Sequence, residues 1–412
     1  MSDAVELPVT YGDIEQARER IDDETVVKQT PVEYSRSLGE FVDADVYLKM
    51  EHLQWTGSFK TRGAYNKISQ DVAAGAQKFI AASAGNHAQG VALAATKCGA
   101  DSTICMPTNA PQAKIDATRG YGATVELVGD DFQETMAHAQ SLAADDEDAS
   151  FVHAYDDADI IAGQGTLGIE MYHDHPNLDT VVVPIGGGLI SGVSTALKHL
   201  SPDVRVVGVQ ATGAETVHES LDKGAPVTLD EVDTIADGIA TGGISETTLS
   251  IIRENVDEVV TVSDAQIAQA LLLLLERAKQ VVEGAGAASV AAILSDDLDV
   301  SGETVMPLLC GGNLDMTMLR TLLIHALTER RQILRLRVRI DDRPGTMSEL
   351  SGIIAEYGAN IHDVRHDRSV VDLDVGEAYL VFTVEASGEE HTASILDGIE
   401  GAGYEVELAT HT

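Results

Sequence analysis

Short runs of β-branched and apolar residues alternate along most of the chain with longer segments of helical spacing. Asp179 to Ile185 (DTVVVPI) reads as a buried strand and runs straight into Gly186-Gly187-Gly188. Val204 to Val209 is a second such strand. Gln77 to Ala82 is a third, and leads through Ser83-Ala84-Gly85 into a helix from Asn86 to Cys98. Ser102 to Met106 and Thr124 to Val128 follow the same rule. Strand, turn, helix, repeated, predicts an α/β fold with parallel strands. Ligands of such folds sit where the carboxyl ends of strands meet helix N-termini.

The pattern changes after Arg331. Ile333 to Ile340 (ILRLRVRI) alternates apolar residue and Arg, which fits a half-exposed strand. Asp341 to Gly345 is a turn cluster. Thr346 to Tyr357 carries helical spacing at Met347, Leu350, Ile353 and Ile354, and Gly358-Ala359-Asn360 ends it. Strands over Ile361 to His366 and Ala378 to Glu385, a helix over His391 to Glu400 and a strand over Tyr404 to Leu408 complete the order β-α-β-β-α-β, the ferredoxin-like motif. The expected domains are therefore residues 1–331 and 332–412.

Composition changes this picture in one respect. Sixty-seven acidic residues face 27 basic ones in 412 residues, a net charge of −40, and only 10 of the bases are Lys. Hydrophobic residues make up 44%, so disorder is a poor reading and the chain can bury real cores. Nucleic acid is not expected as a partner, because a phosphate backbone is bound by Lys and Arg footprints that this surface would oppose. The acidity is spread along the whole chain and reads as a solvated skin for a salt-rich cytoplasm, with a binding surface for cations or basic partners as the alternative. At about 1 M salt the Debye length is only about 3 Å and self-repulsion is screened. Met1 to Asp13 is acidic and unlike a signal peptide, and no apolar run approaches the roughly 20 residues of a membrane span. Cys98, Cys105 and Cys310 form no CxxC pair, which argues against a disulfide framework or a thiolate zinc site. The expected location is the cytoplasm.

Four segments carry candidate chemistry. In Gly57 to Ala64 (GSFKTRGA), Lys60 beside an aromatic residue is a candidate amine of lowered pKa; taken alone it reads as a surface Lys near a turn. In Ala82 to Gly90 (ASAGNHAQG), small residues and a helix N-terminus offer N–H groups to a carboxylate, and Asn86 could donate to a phenolate-like oxygen; the plain alternative is an Asn N-cap. Gly186-Gly187-Gly188-Leu189 is a glycine run between a buried strand and a helix, the setting of a phosphate cradle, without the spacing of a dinucleotide fold or a P-loop. Cys310-Gly311-Gly312-Asn313 follows an apolar run; a lone Cys there is usually just a small buried residue. Glu283 to Ala287 starts a small-residue helix, for which close packing is explanation enough. Together the amine, the donor amide, the glycine loop and the weakly polar thiol suit pyridoxal phosphate.

With these motifs in order (SFKTRGA, ASAGNHAQG, IAGQGT, VPIGGGLISG, ADGIA, VVEGAGA and LLCGGN), residues 8 to 330 resemble the threonine/serine dehydratase family of fold-type II pyridoxal-phosphate enzymes. DRPG at Asp342 to Gly345 and GANI at Gly358 to Ile361 make the tail resemble an ACT domain, an amino-acid-sensing module. The resemblance implies a two-subdomain catalytic region, the smaller part at roughly 47–154 inserted in the larger. It implies that Lys60 holds the cofactor and acts as base on Cα, with Phe59 against the ring and Asn86 on its hydroxyl. Ser83, Ala84, Gly85, Asn86 and His87 would take the substrate carboxylate. Gly186, Gly187, Gly188 and Leu189 would take the phosphate, and Cys310 would face the pyridine nitrogen. The implied reaction is β-elimination of L-threonine to 2-oxobutanoate and ammonia, with a serine-preferring dehydratase or a non-catalytic amino-acid sensor as alternatives. An effector such as isoleucine would lie near Arg343, Pro344, Gly345, Thr346, Met347 and Asn360, in a homo-oligomer (dimer or tetramer).

Three departures from the family pattern matter. Its glycine loop usually has four glycines, and here three precede Leu189, which implies a shorter loop or rearranged donors. Ala84 stands where racemases carry a second catalytic Ser, which argues against racemisation. Gln210 and Thr216 stand where a cation-binding relative needs carboxylates, with Glu215 nearby, so no metal is expected.

Overall fold

The computed structural model describes residues 7–369 and 373–409, so Met1–Glu6 of the acidic N-terminal stretch lie outside the described residues. The chain divides into two compact units, Met1–Asp315 and Met316–Thr412.

The first unit is built on two sheets. Its strands in chain order are β1 (Val32–Tyr34), β2 (Asp45–Lys49), β3 (Lys78–Ala82), β4 (Asp101–Met106), β5 (Thr124–Leu127), β6 (Ala149–Phe151), β7 (Thr180–Pro184), β8 (Arg205–Ala211), β9 (Glu258–Val262) and β10 (Thr304–Pro307). β3 to β6 form a parallel sheet in the order β5-β4-β3-β6. The others form a sheet in the order β1-β2-β10-β7-β8-β9, parallel except for the β1-β2 pair. The smaller sheet is thus inserted in sequence between β2 and β7. Every residue of β7 (TVVVP) is buried, as befits a strand covered by helices on both faces. The helices beside the strand ends are unusually small-residued. Asn86–Cys98 and Gly284–Ile293 bury most or all of their residues, and their Ala and Gly side chains let backbones approach. Among the described residues no helix is long and apolar enough to cross a membrane.

The second unit contains the helix Met316–Glu329 and an antiparallel sheet of β11 (Ile333–Asp341), β12 (Asn360–Asp367), β13 (Glu377–Glu385) and β14 (Glu405–Leu408), in the order β12-β13-β11-β14. Leu334, Leu336, Val338 and Ile340 alternate into a core with Leu350 and Ile354 of the helix Thr346–Glu356 and Ile395 and Ile399 of the helix Glu389–Gly401. The intervening Arg residues lie on the other face, where the Arg337 guanidinium stacks 3.6 Å above the Tyr379 ring. This is the predicted ferredoxin-like order.

Candidate active site

The segment that carries Lys60 is tied strand-like to the one that carries Cys310. Phe59 donates its N–H to Cys310 O, Gly312 donates to Gly57 O, and Ser58 bridges Gly311. Lys60 is the first residue of the helix Lys60–Ala74. Gly90 brings a second helix against it: a Cβ there would lie 3.0 Å from the Lys60 carbonyl carbon. Lys60 Nζ donates to Ala154 O at 2.8 Å and lies 5.2 Å from the Phe59 ring centre. Burial lowers the Lys60 pKa to about 8, against the raising pull of Cys310 and Glu283. The positive end of its own helix works in the same direction as burial. A surface lysine at a turn, the plain reading of this residue by itself, is therefore not what the fold holds.

Cys310 is buried, and desolvation first, then Glu283, push its thiol well above the usual range, so it is a neutral thiol. Asn86 begins the helix Asn86–Cys98 with Gly85 at its N-cap, so Asn86 is not the N-cap residue. Its side chain is held on both sides: Nδ2 donates to Glu283 Oε1 at 2.7 Å, and Oδ1 accepts from Asn313 Nδ2 at 2.7 Å. Ser83, Ala84 and Gly85 form the half-buried turn before it, where the Gly85 N–H donates to Ser83 Oγ at 3.1 Å. His87 is buried and its Nε2 meets Val152 O at 2.9 Å, which assigns the ring proton to Nε2.

Ile185 still donates within the sheet, to Val209 O, so the glycine loop proper is Gly186 and Gly187, with the helix Gly188–Leu200 following. Gly187 has φ +103°, a conformation side chains rarely adopt. A Cβ on Gly188 would press on Tyr155 at 3.0 to 3.2 Å. Leu189 is buried in the first turn. Tyr155 thus borders the loop, while its neighbour Ala154 receives the Lys60 amine.

Several participants carried no usable sequence signal. Ala154 and Tyr155 lie in a loop, and Glu283 looked like packing. The largest omission is an ion network. Arg62, fully buried, meets Glu51 at 2.6 Å and Glu170 at 2.6 Å; Lys49 meets Glu170 at 3.1 Å and Asp174 at 2.8 Å. Arg62 lies two residues beyond Lys60, so the network anchors the start of that helix. Gln210 spends its amide on the local backbone, accepting from Thr216 and Val217 N–H and donating to Ala214 O. The tail residues are divided: Arg343, Pro344, Gly345, Thr346 and Met347 follow the end of β11, whereas Asn360 opens β12 opposite Glu385. Glu385 pairs with Ile333 at the other end of β11, so Asn360 lies across the sheet's length from that loop.

The residues present fit a phosphorylated, planar carbonyl cofactor. A lysine amine of lowered pKa meets Ala154, whose neighbour Tyr155 borders the glycine turn, an uncharged cradle that a Cβ would fill. Asn86 keeps one amide N–H without a partner among the described residues, and Ser58 Oγ, two residues before Lys60, is buried and likewise without one. The pattern of the pyridoxal-phosphate dependent enzymes matches residues 24–311, and the chain belongs to that family. The ACT domain pattern matches residues 334–401. An L-threonine ammonia-lyase of Thermotoga maritima is 43% identical over 97% of this chain and 99% of its own. Among solved structures, processed threonine deaminase isoform 2 of Solanum lycopersicum has a TM-score of 0.71 at 34% identity, covering 76% of this chain and 94% of that one. Maize serine racemase has a TM-score of 0.72 at 32% identity, covering 79% and 99%.

Proposed function

We propose that this chain is a threonine ammonia-lyase, converting L-threonine to 2-oxobutanoate and ammonia. The observation that carries the reading is the pairing of a Lys60 amine of lowered pKa with a neutral, buried Cys310 thiol in one site. Bound pyridoxal phosphate supplies an electron sink for Cα and an acid group in its phosphate. Lys60, uncharged above about pH 8, can hold the cofactor and take the Cα proton. The Ser83–His87 turn, at a helix N-terminus, receives the substrate carboxylate, with N–H groups rather than a cation. The Gly186–Leu189 segment receives the phosphate, and Phe59 packs by the ring. A neutral Cys310 thiol facing the ring nitrogen would not hold a proton there, so the bound group would be a weaker electron sink, which supports loss of the β-hydroxyl over transamination. Ala84 offers no proton carrier on the opposite face, which supports elimination over racemisation.

A serine-preferring dehydratase is the second reading, since one methyl group is worth only about 1–3 kcal/mol of discrimination. Retention of Lys60, Asn86 and Cys310 speaks against a non-catalytic sensor. The test is oxo-acid release from threonine and from serine with wild type and Lys60→Ala. Threonine should be turned over faster by wild type, and neither substrate by the variant.

The tail supports control by an amino acid such as isoleucine. Since Arg343–Met347 and Asn360 lie at opposite ends of one sheet, a site using both would be completed between two copies, which supports a homo-oligomer. The acidic composition supports a halophilic protein, and the three cysteines, free among the described residues, support the cytoplasm.

A further inference from the structure

Glu283 immediately precedes the helix Gly284–Ile293 and is buried. Its N–H donates to Gly311 O at 3.1 Å, and a Cβ on Gly311 would run into its Oε1. A glycine after Cys310 is thus needed to admit the carboxylate. Through that oxygen Glu283 accepts from Asn86 Nδ2, while Asn313 Nδ2 donates to Asn86 Oδ1 and also reaches Thr56 O at 2.7 Å. An Asn amide has two N–H donors and one carbonyl. The carbonyl and one donor are engaged, and the amide cannot flip without setting its oxygen against a carboxylate.

We propose that Glu283 is a positioning residue that, together with Asn313, locks the Asn86 amide so that its one remaining N–H is presented to the ring hydroxyl oxygen of the cofactor. This rests on the assignment of Asn86 to that oxygen. The ionisable groups facing Glu283 are Asp237, Lys114, Lys60 and Cys310. Burial first, reinforced by Asp237 and opposed by Asn86, Lys114 and the Asn313 backbone, raises its pKa to about 7. The hydrogen bond to Asn86 is therefore charge-assisted above about pH 7 and weaker below it. His87, at about 3, and His153, lowered by burial, titrate on the acid side of that point.

The test is a pH titration of the absorbance and fluorescence of the bound cofactor, with its dissociation constant, in holoenzyme kept in molar KCl. Wild type should show a spectral step centred near pH 7. Glu283→Gln keeps an acceptor oxygen but no charge, so it should lose the step and bind cofactor within about threefold of wild type, while Glu283→Ala should bind about tenfold more weakly or worse. No step in wild type, or a step of unchanged midpoint in Glu283→Gln, would overturn the proposal, and the Gln variant serves even where the Ala variant fails to fold. Asn86→Ala separates the two levels. A spectrum and affinity unchanged in that variant would refute the role of Asn86 itself. A change in it, with none in either Glu283 variant, would refute only the role of Glu283.

Discussion

Lys60 joins a helix start, a thiol-bearing segment and a loop carbonyl, and its chemistry follows from that company. An amine with a pKa of about 8 is half deprotonated there. Capture of pyridoxal phosphate by the cofactor-free protein should accelerate as pH rises to about 8 and level off above it, where an ordinary lysine, at 10.5, would keep accelerating. Stopped-flow absorbance checks this, and Lys60→Ala should yield no borohydride-trapped adduct. His87 makes the opposite kind of statement. Burial, with Lys60 adding to it, lowers its pKa from 6.5 to about 3. The unfolded chain therefore takes up this proton first, and the stability owed to neutral His87 is complete above pH 6.5 and is lost as pH falls from there toward 3. His87→Gln should flatten that acid limb in urea melts at pH 7, 5.5 and 4. Both residues were visible as motif members in the sequence. Their protonation was not, because it depends on neighbours such as Ala154 and Val152 that lie far away along the chain.

At the scale of elements, two devices hold the site. One is the turn between β7 and the helix Gly188–Leu200. Placing a side chain at Gly187, at φ +103°, costs about 1–3 kcal/mol of backbone strain, so Gly187→Ala should lower both the melting temperature and cofactor affinity. Equilibrium dialysis and thermal melts of the cofactor-free protein tell the two effects apart. The other device is the Arg62 network under the Lys60 helix. Arg62→Ala strands the buried carboxylate of Glu51, at a cost of about 3–5 kcal/mol, to be read from denaturant melts in molar KCl. The glycine run could be seen in the sequence because a conformational demand leaves a residue-type signature. The network could not, because its members span residues 49 to 174 and look like ordinary surface charges one at a time.

For the whole molecule, a net charge of −40 sets the conditions under which everything else operates. The Debye length shrinks from about 10 Å at 0.1 M to about 3 Å at 1 M salt, so stability and activity should hold in molar KCl and fall on dilution. Full stability in dilute buffer would remove the halophilic reading. Isoleucine titrated against activity should shift the threonine saturation curve in wild type and less so in Arg343→Ala; superimposable curves would leave the tail a structural module. The sequence by itself determined the alternation of elements, the ferredoxin-like tail and the motif residues, because periodicity, glycine and the reactive side chains are local properties of the chain. Only the tertiary structure decided that Lys60 is desolvated, that Glu283 holds Asn86, that Arg62 sits among carboxylates, and that Asn360 lies away from Arg343. Each of those is a matter of which distant residues are within a few ångströms, and strand register and helix crossing fix that after local pattern has done its part.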